Sequence, residues 1–227
     1  MRGFRILKAV LFVLAALPAV VLAVDAFRGN LTADPIEEIT HRTGWWTITL
    51  LMVTLSVTPI RRFTGWNSLV KVRRMLGLYA FFYASLHLLT YVVLDLFFAF
   101  DILFEDVAER PYITVGFTGF LMLLALAITS TKGWVRRLGK RWQRLHQLVY
   151  VAALAGVVHF YWQVKADTRE PLIYAGVLAL LLAARLRPRP PVKERRGEGQ
   201  RGRAEALTPS ASRSHSAGTG SSRRTAS

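Results

Sequence analysis

His87, His146 and His159 lie in apolar runs long enough to cross a bilayer, "MLGLYAFFYASLHLLTYVVLD" and "RLHQLVYVAALAGVVHFYW". Imidazole is costly in hydrocarbon, because its ring nitrogens find no water there, and ionisable groups at such depth mark function by default. Neither run carries an Asp, Glu, Lys or Arg between its ends. Proton relays and hard-metal sites draw on carboxylates, which these runs lack. Neutral imidazoles among apolar side chains suit a flat, apolar, metal-centred group, and heme fits, since its iron takes axial nitrogen ligands. A channel or transporter using the histidines as metal or proton sites is the alternative from another class.

Depth decides which histidines can share one iron. His87 is thirteen residues beyond Arg74 and His159 fifteen beyond Arg144, so both lie roughly 20 Å from the same boundary at ~1.5 Å per residue. They are expected to face each other as axial ligands. His146 sits ~19.5 Å lower, level with Arg73 and Arg74, which are poor iron ligands. On a straight helix His146 and His159 are ~140° apart. Sharing a face would need a kink, for which Gly156 is the expected place. Ala152, Ala155 and Gly156 share the face of His159, leaving room for a macrocycle or for close helix packing. Tyr83 and Tyr91 flank His87, either against a porphyrin or as core. His41, beside Arg42, reads as interfacial.

The elements that must position these residues follow from composition. Hydrophobic residues make up 52% of the 227, yet the formal charge is +16. Six apolar runs, roughly 9–24, 44–60, 75–94, 112–131, 145–163 and 171–184, approach the ~20 residues that span a bilayer. The fold class is therefore all-α, a polytopic bundle of six transmembrane helices. Charge lies between the runs. Arg61, Arg62, Lys71, Arg73 and Arg74 form one loop without acids, and Lys132, Arg136, Arg137, Lys140, Arg141 and Arg144 another. Asp95, Asp101, Glu105, Asp106 and Glu109 dominate the loop between them. Basic loops stay in the cytoplasm, so both termini are expected there. The start also resembles a secretory signal, although a retained first helix is expected.

Residues 1–187 form the expected membrane domain. Residues 188–227, rich in Arg, Pro, Gly and Ser, are expected to be a disordered basic tail. His215 and the Gly197-x-Gly199-x-x-Gly202 match fall in that tail, where no strand or helix supports a dinucleotide fold. The sequon Asn30-Leu31-Thr32 needs a eukaryotic secretory setting that nothing else supports. The chain has no cysteine, which excludes disulfides, thiolate metal sites and covalently attached heme.

"RRMLGLYAFFYASLHLLTYVVLD", "TGWWTITLLMVTLSVTPIRR" and "RWQRLHQLVYVAALAGVVHFYWQVKAD" closely resemble the MsrQ (YedZ) family, within the ferric-reductase-like membrane domains. The resemblance covers roughly residues 5–187. It implies a non-catalytic electron-transfer subunit of the bacterial inner membrane, carrying heme b and also FMN. Electrons would come from the quinone pool or a cytosolic flavin reductase. They would pass to a periplasmic molybdenum-containing methionine-sulfoxide reductase subunit that repairs oxidised proteins. The implied heme-binding residues are His87, His159 and His146. Oxidase relatives use two histidines on each of two helices, and Arg73 or Arg74 stands where the fourth would be, so one heme is expected. No nucleic-acid partner is implied. A stand-alone ferric or quinone reductase is the nearer alternative.

Overall fold

The computed structural model describes residues 2–164 and 167–186. The basic tail from 188, with His215 and the glycine match, lies outside the described residues, as does Arg187. Five helices are long and apolar enough to cross a membrane: Gly3–Arg28, Pro35–Thr64, Leu69–Asp95, Pro111–Ile128 and Lys140–Gln163. They coincide with the first five expected runs. The sixth run forms an 18-residue helix, Arg169–Leu186, with Arg169, Glu170 and Arg185 near its ends. The chain is an all-α membrane protein.

In chain order the helices are α1 (Arg2–Arg28), α2 (Pro35–Thr64), α3 (Leu69–Leu89, continued by a π-helical segment, Thr90–Asp95), α4 (Phe100–Glu109), α5 (Pro111–Ile128), α6 (Lys132–Leu138), α7 (Lys140–Leu145) and α8 (Leu148–Gln163), which together make the fifth span, and α9 (Arg169–Leu186). Helix α2 is the central one. Leu50, Leu51, Leu55 and Val57 are buried along it, and they share a core with Val72, Leu76 and Ala80 of α3 and Val149, Ala153 and Val157 of α8. Its start is set by Asp34, whose Oδ1 accepts the Glu37 N–H at 3.0 Å, and by Pro35 in the first turn. Both are favoured there, because the first N–H groups of a helix have no internal acceptor. Its end is Gly65 at φ 72°, whose N–H returns to the Arg61 carbonyl, a left-handed stop open to glycine without steric cost.

Helix α1 is tied to α2 by Arg42, which pairs with Asp25 at 2.8 Å, and to α3 by an inserted hydroxyl. The Tyr83 hydroxyl donates to the Ala15 carbonyl at 2.8 Å and accepts from the Ala19 N–H at 3.0 Å. These are the two partners of one i→i−4 bond of α1, so the hydroxyl bridges an opened rung. Pro18 lies beside it, where the ring has already displaced the ladder. Tyr83 therefore belongs to the core between α1 and α3. The Tyr91 hydroxyl donates to Asp106 of α4. Neither tyrosine turns toward the histidines.

Two expected loops contain helices. The acidic segment folds as α4, which buries Asp106 beside Arg110 (2.9 Å) and Tyr91. The basic segment forms α6 and α7, separated at Gly139 (φ 51°). The break near His146 also lies elsewhere than expected. Helix α8 runs unbroken through Gly156, and the interruption falls at His146 and Gln147, between α7 and α8.

A candidate paired-histidine cofactor site

The site is built from two helix pairs with the same local design. In the first, α3 lies on α2, and His87 sits over Gly44. A β-carbon added at Gly44 would stand 3.1 Å from His87 Cε1 and 3.2 Å from Nδ1. The missing side chain lets the ring lie flush on α2, so Nδ1 reaches the Thr40 carbonyl at 2.9 Å. Thr40 is four residues before Gly44, one turn below it. In the second pair α8 lies on α5, and His159 sits over Gly116. A β-carbon there would meet His159 Nδ1 at 2.6 Å and Cε1 at 2.8 Å. Nδ1 lies 2.7 Å from the carbonyl of Tyr112, again four residues before the glycine.

Both carbonyls can accept from the ring, and that of Thr40 also accepts from the Thr43 hydroxyl at 3.0 Å. A carbonyl cannot donate, so Nδ1 carries the proton in both histidines, and each Nε2 keeps its lone pair. That is the arrangement by which a neighbouring acceptor fixes the tautomer and orientation of a metal-binding histidine. The two rings lie together edge-on, with centroids 6.1 Å apart and planes at 83°. With metal–imidazole bonds of about 2 Å, two imidazoles on opposite sides of one metal place their centroids about 6 Å apart. Among the described residues no three His, Cys, Asp or Glu side chains gather into a metal cluster. The pair thus offers two nitrogen ligands and no more, the number that iron in a porphyrin accepts axially.

His146 is not part of this pair. Its ring stacks on Trp142 at 3.8 Å between centroids, with Nδ1 3.2 Å from the Trp142 carbonyl. Trp142 is held in turn by its indole N–H, which donates to the Thr129 carbonyl at 2.9 Å. His146 Nε2 is buried and has no partner among the described residues. A buried nitrogen left unpaired is costly unless a ligand or water meets it. Arg73 and Arg74 are close enough to act on His146 electrostatically. His41 is exposed and touches Phe160 edge-on at 6.3 Å.

The small residues below His159 pack helices together. A β-carbon at Gly119 of α5 would meet Ala155 Cβ at 3.4 Å and the Ala152 carbonyl at 3.8 Å. Ala152 is fully buried there. Gly156 alone of that trio has open space beside it. Sequence reasoning passed over Gly44 and Gly116. Counting depth from the acidic end would have placed a glycine of a neighbouring span beside each histidine.

Residues 43–157 match the family model described as "Ferric reductase like transmembrane component". The "Protein-methionine-sulfoxide reductase heme-binding subunit MsrQ" of Xanthomonas campestris pv. campestris is 58% identical over 156 residues, covering 69% of this chain and 72% of that protein. The subunit of the same description from Xanthomonas axonopodis pv. citri is 55% identical with the same coverage. That from Herminiimonas arsenicoxydans is 49% identical over 184 residues, 80% of this chain and 84% of its own length.

Proposed function

The chain belongs to the ferric-reductase-like transmembrane family, among its MsrQ heme-binding subunits, and on that premise we propose that it carries electrons across a bacterial inner membrane through heme b. Bound between His87 and His159, the heme would supply a one-electron carrier inside the apolar bundle. The relatives' names speak of heme and not of FMN, so the proposal is confined to heme b. The donor is the quinone pool or a cytosolic flavin reductase. The acceptor is a periplasmic molybdenum-containing methionine-sulfoxide reductase subunit, and no substrate chemistry takes place on this chain.

The residues of the chain perform the positioning. His87 and His159 would hold the heme iron through Nε2, and the Thr40 and Tyr112 carbonyls, which hold the rings, would raise the basicity of those nitrogens. Gly44 and Gly116 set the distance between each ring and its carbonyl. The apolar walls keep water from the pair, which lowers the local dielectric and holds the cofactor by burial. His146 is the cytoplasmic-side group, a relay or a ligand at a second level. The bare basic loops support a cytoplasmic position for both termini, and α9 would serve as the sixth span.

The observation that carries this reading is the close pair, each ring bonded at Nδ1 to a carbonyl, with Nε2 unbonded among the described residues. It favours electron transfer over a proton or metal pathway, in which the histidines would need accessible partners along a file. A stand-alone ferric reductase shares the family but not the high identity to named reductase subunits. The test is spectroscopic. Full-length protein purified after heme-replete expression should give dithionite-reduced bands typical of bis-imidazole heme. A colourless preparation would overturn the proposal. Oxidation of the reduced protein by the partner subunit, but not by ferric chelates, would distinguish it from the stand-alone reductase.

A further inference from the structure

At the basic end of the bundle, α2, α8 and α9 enclose an open cleft of ≈ 450 Å³ lined by Arg62, Tyr150, Leu182 and Arg185. Both guanidinium groups are already anchored. Arg62 donates to the Ala184 and Arg185 carbonyls at 3.3 Å each, at the end of α9, where a cation is favoured by the unsatisfied carbonyls. Arg185 donates to the Leu55 carbonyl at 3.1 Å and lies 4.7 Å over the Tyr150 ring. Arg185 Nε is buried with no acceptor among the described residues. Arg73 is close enough to act on Arg185 electrostatically and reaches only Thr58 Oγ1, at 3.4 Å. Among the described residues the ion pairs are those of Arg42 and Arg110, and these three arginines have no carboxylate.

Three guanidinium groups gathered without an acid repel one another, and a buried N–H without an acceptor adds to the cost. An anion with several oxygens would relieve both, because a guanidinium fork matches phosphate geometry. The cleft lies at the ends of membrane helices, with Leu182 as an apolar wall beside the charges. An anion with an apolar tail fits that placement, and basic pockets between spans on the cytoplasmic side take lipid head groups. We propose that Arg62 and Arg185, with Tyr150, form a binding site for the phosphate of an anionic phospholipid of the cytoplasmic leaflet. The leaflet rests on the orientation proposed above, whereas the phosphate site itself does not depend on heme or electron transfer.

The test uses the full chain purified in a neutral detergent, judged folded by helical circular dichroism and monodisperse elution. Phosphatidylglycerol, phosphatidylcholine or inorganic phosphate is added back, with retained lipid read by native mass spectrometry and the melting temperature read in parallel. The wild type should retain phosphatidylglycerol in preference to phosphatidylcholine and melt higher with it. R62Q/R185Q should lose that preference by about tenfold or more, as two charge-assisted hydrogen bonds are removed. R141Q/R144Q, which removes equal charge from residues that do not line the cleft, should keep it. Equal retention of both lipids, or an undiminished preference in the folded double variant, would overturn the proposal. A melting shift reproduced by inorganic phosphate alone would overturn the lipid as the source.

Discussion

The two ends of the bundle treat histidine differently. At the acidic end His87 and His159 come from different helices, and each is held by the carbonyl of yet another helix, so four spans converge on one pair. At the basic end His146 rests on Trp142, four residues earlier in its own segment. The first arrangement fixes two imidazoles against each other. The second leaves one buried nitrogen without a partner among the described residues, within electrostatic reach of Arg73 and Arg74. A histidine in a membrane helix is therefore not a ligand by virtue of depth alone. What separates the two ends is whether a second span brings a second ring.

The largest effect that would test this contrast is removal of either paired ring. H87A and H159A should each abolish the bis-imidazole absorbance of purified protein; retention of the full spectrum in either variant would break the comparison. Next comes G116V, and then G116A, because even the first added carbon falls 2.6 Å from a ring pinned to Tyr112. Both should reduce heme retention, measured as the ratio of heme absorbance to protein, with the larger side chain more severe. G44A should cost less, since its added carbon falls 3.1 Å from His87 and a few tenths of an ångström of movement would admit it. Y83F should leave the spectrum intact but lower stability by about 1–3 kcal/mol, the cost of a buried group left unsatisfied, read by thermal melting in detergent. H146A should change the acidic-end absorbance least. If H146A alone removed all heme, the assignment of the two ends would be reversed.

Much of this arrangement was legible in the amino-acid order because membrane thickness imposes a ruler. Counting residues from the last arginine of each basic loop brought His87 and His159 to one level, and the two rings lie 6.1 Å apart. The same count separated His146 and aligned it with Arg73 and Arg74. Rotation about a helix was harder to read. The mismatch between His146 and His159 required a break, but glycine drew attention to 156, whereas the chain interrupts itself at His146 and Gln147. The seats could not be read directly, because the groups that hold the rings are backbone carbonyls, which every residue possesses. Only the absence of a side chain at Gly44 and Gly116 signals them, and a glycine in a membrane helix has many other uses. The acidic loop hid α4 because its charges drew attention away from the helical spacing of Leu103, Asp106 and Val107. Tyr83 was visible as a residue but not as the bridge across a rung of α1, since that role depends on where α1 docks.

Flush seating on a bare stretch of neighbouring helix has a consequence for speed. A ring already braced on both its face and its N–H has little left to rearrange when the charge beside it changes by one unit. In the proposed electron carrier the scaffold would behave as a stiff mount, and the work of accommodating each electron would fall on small shifts of bond length instead of on moving parts.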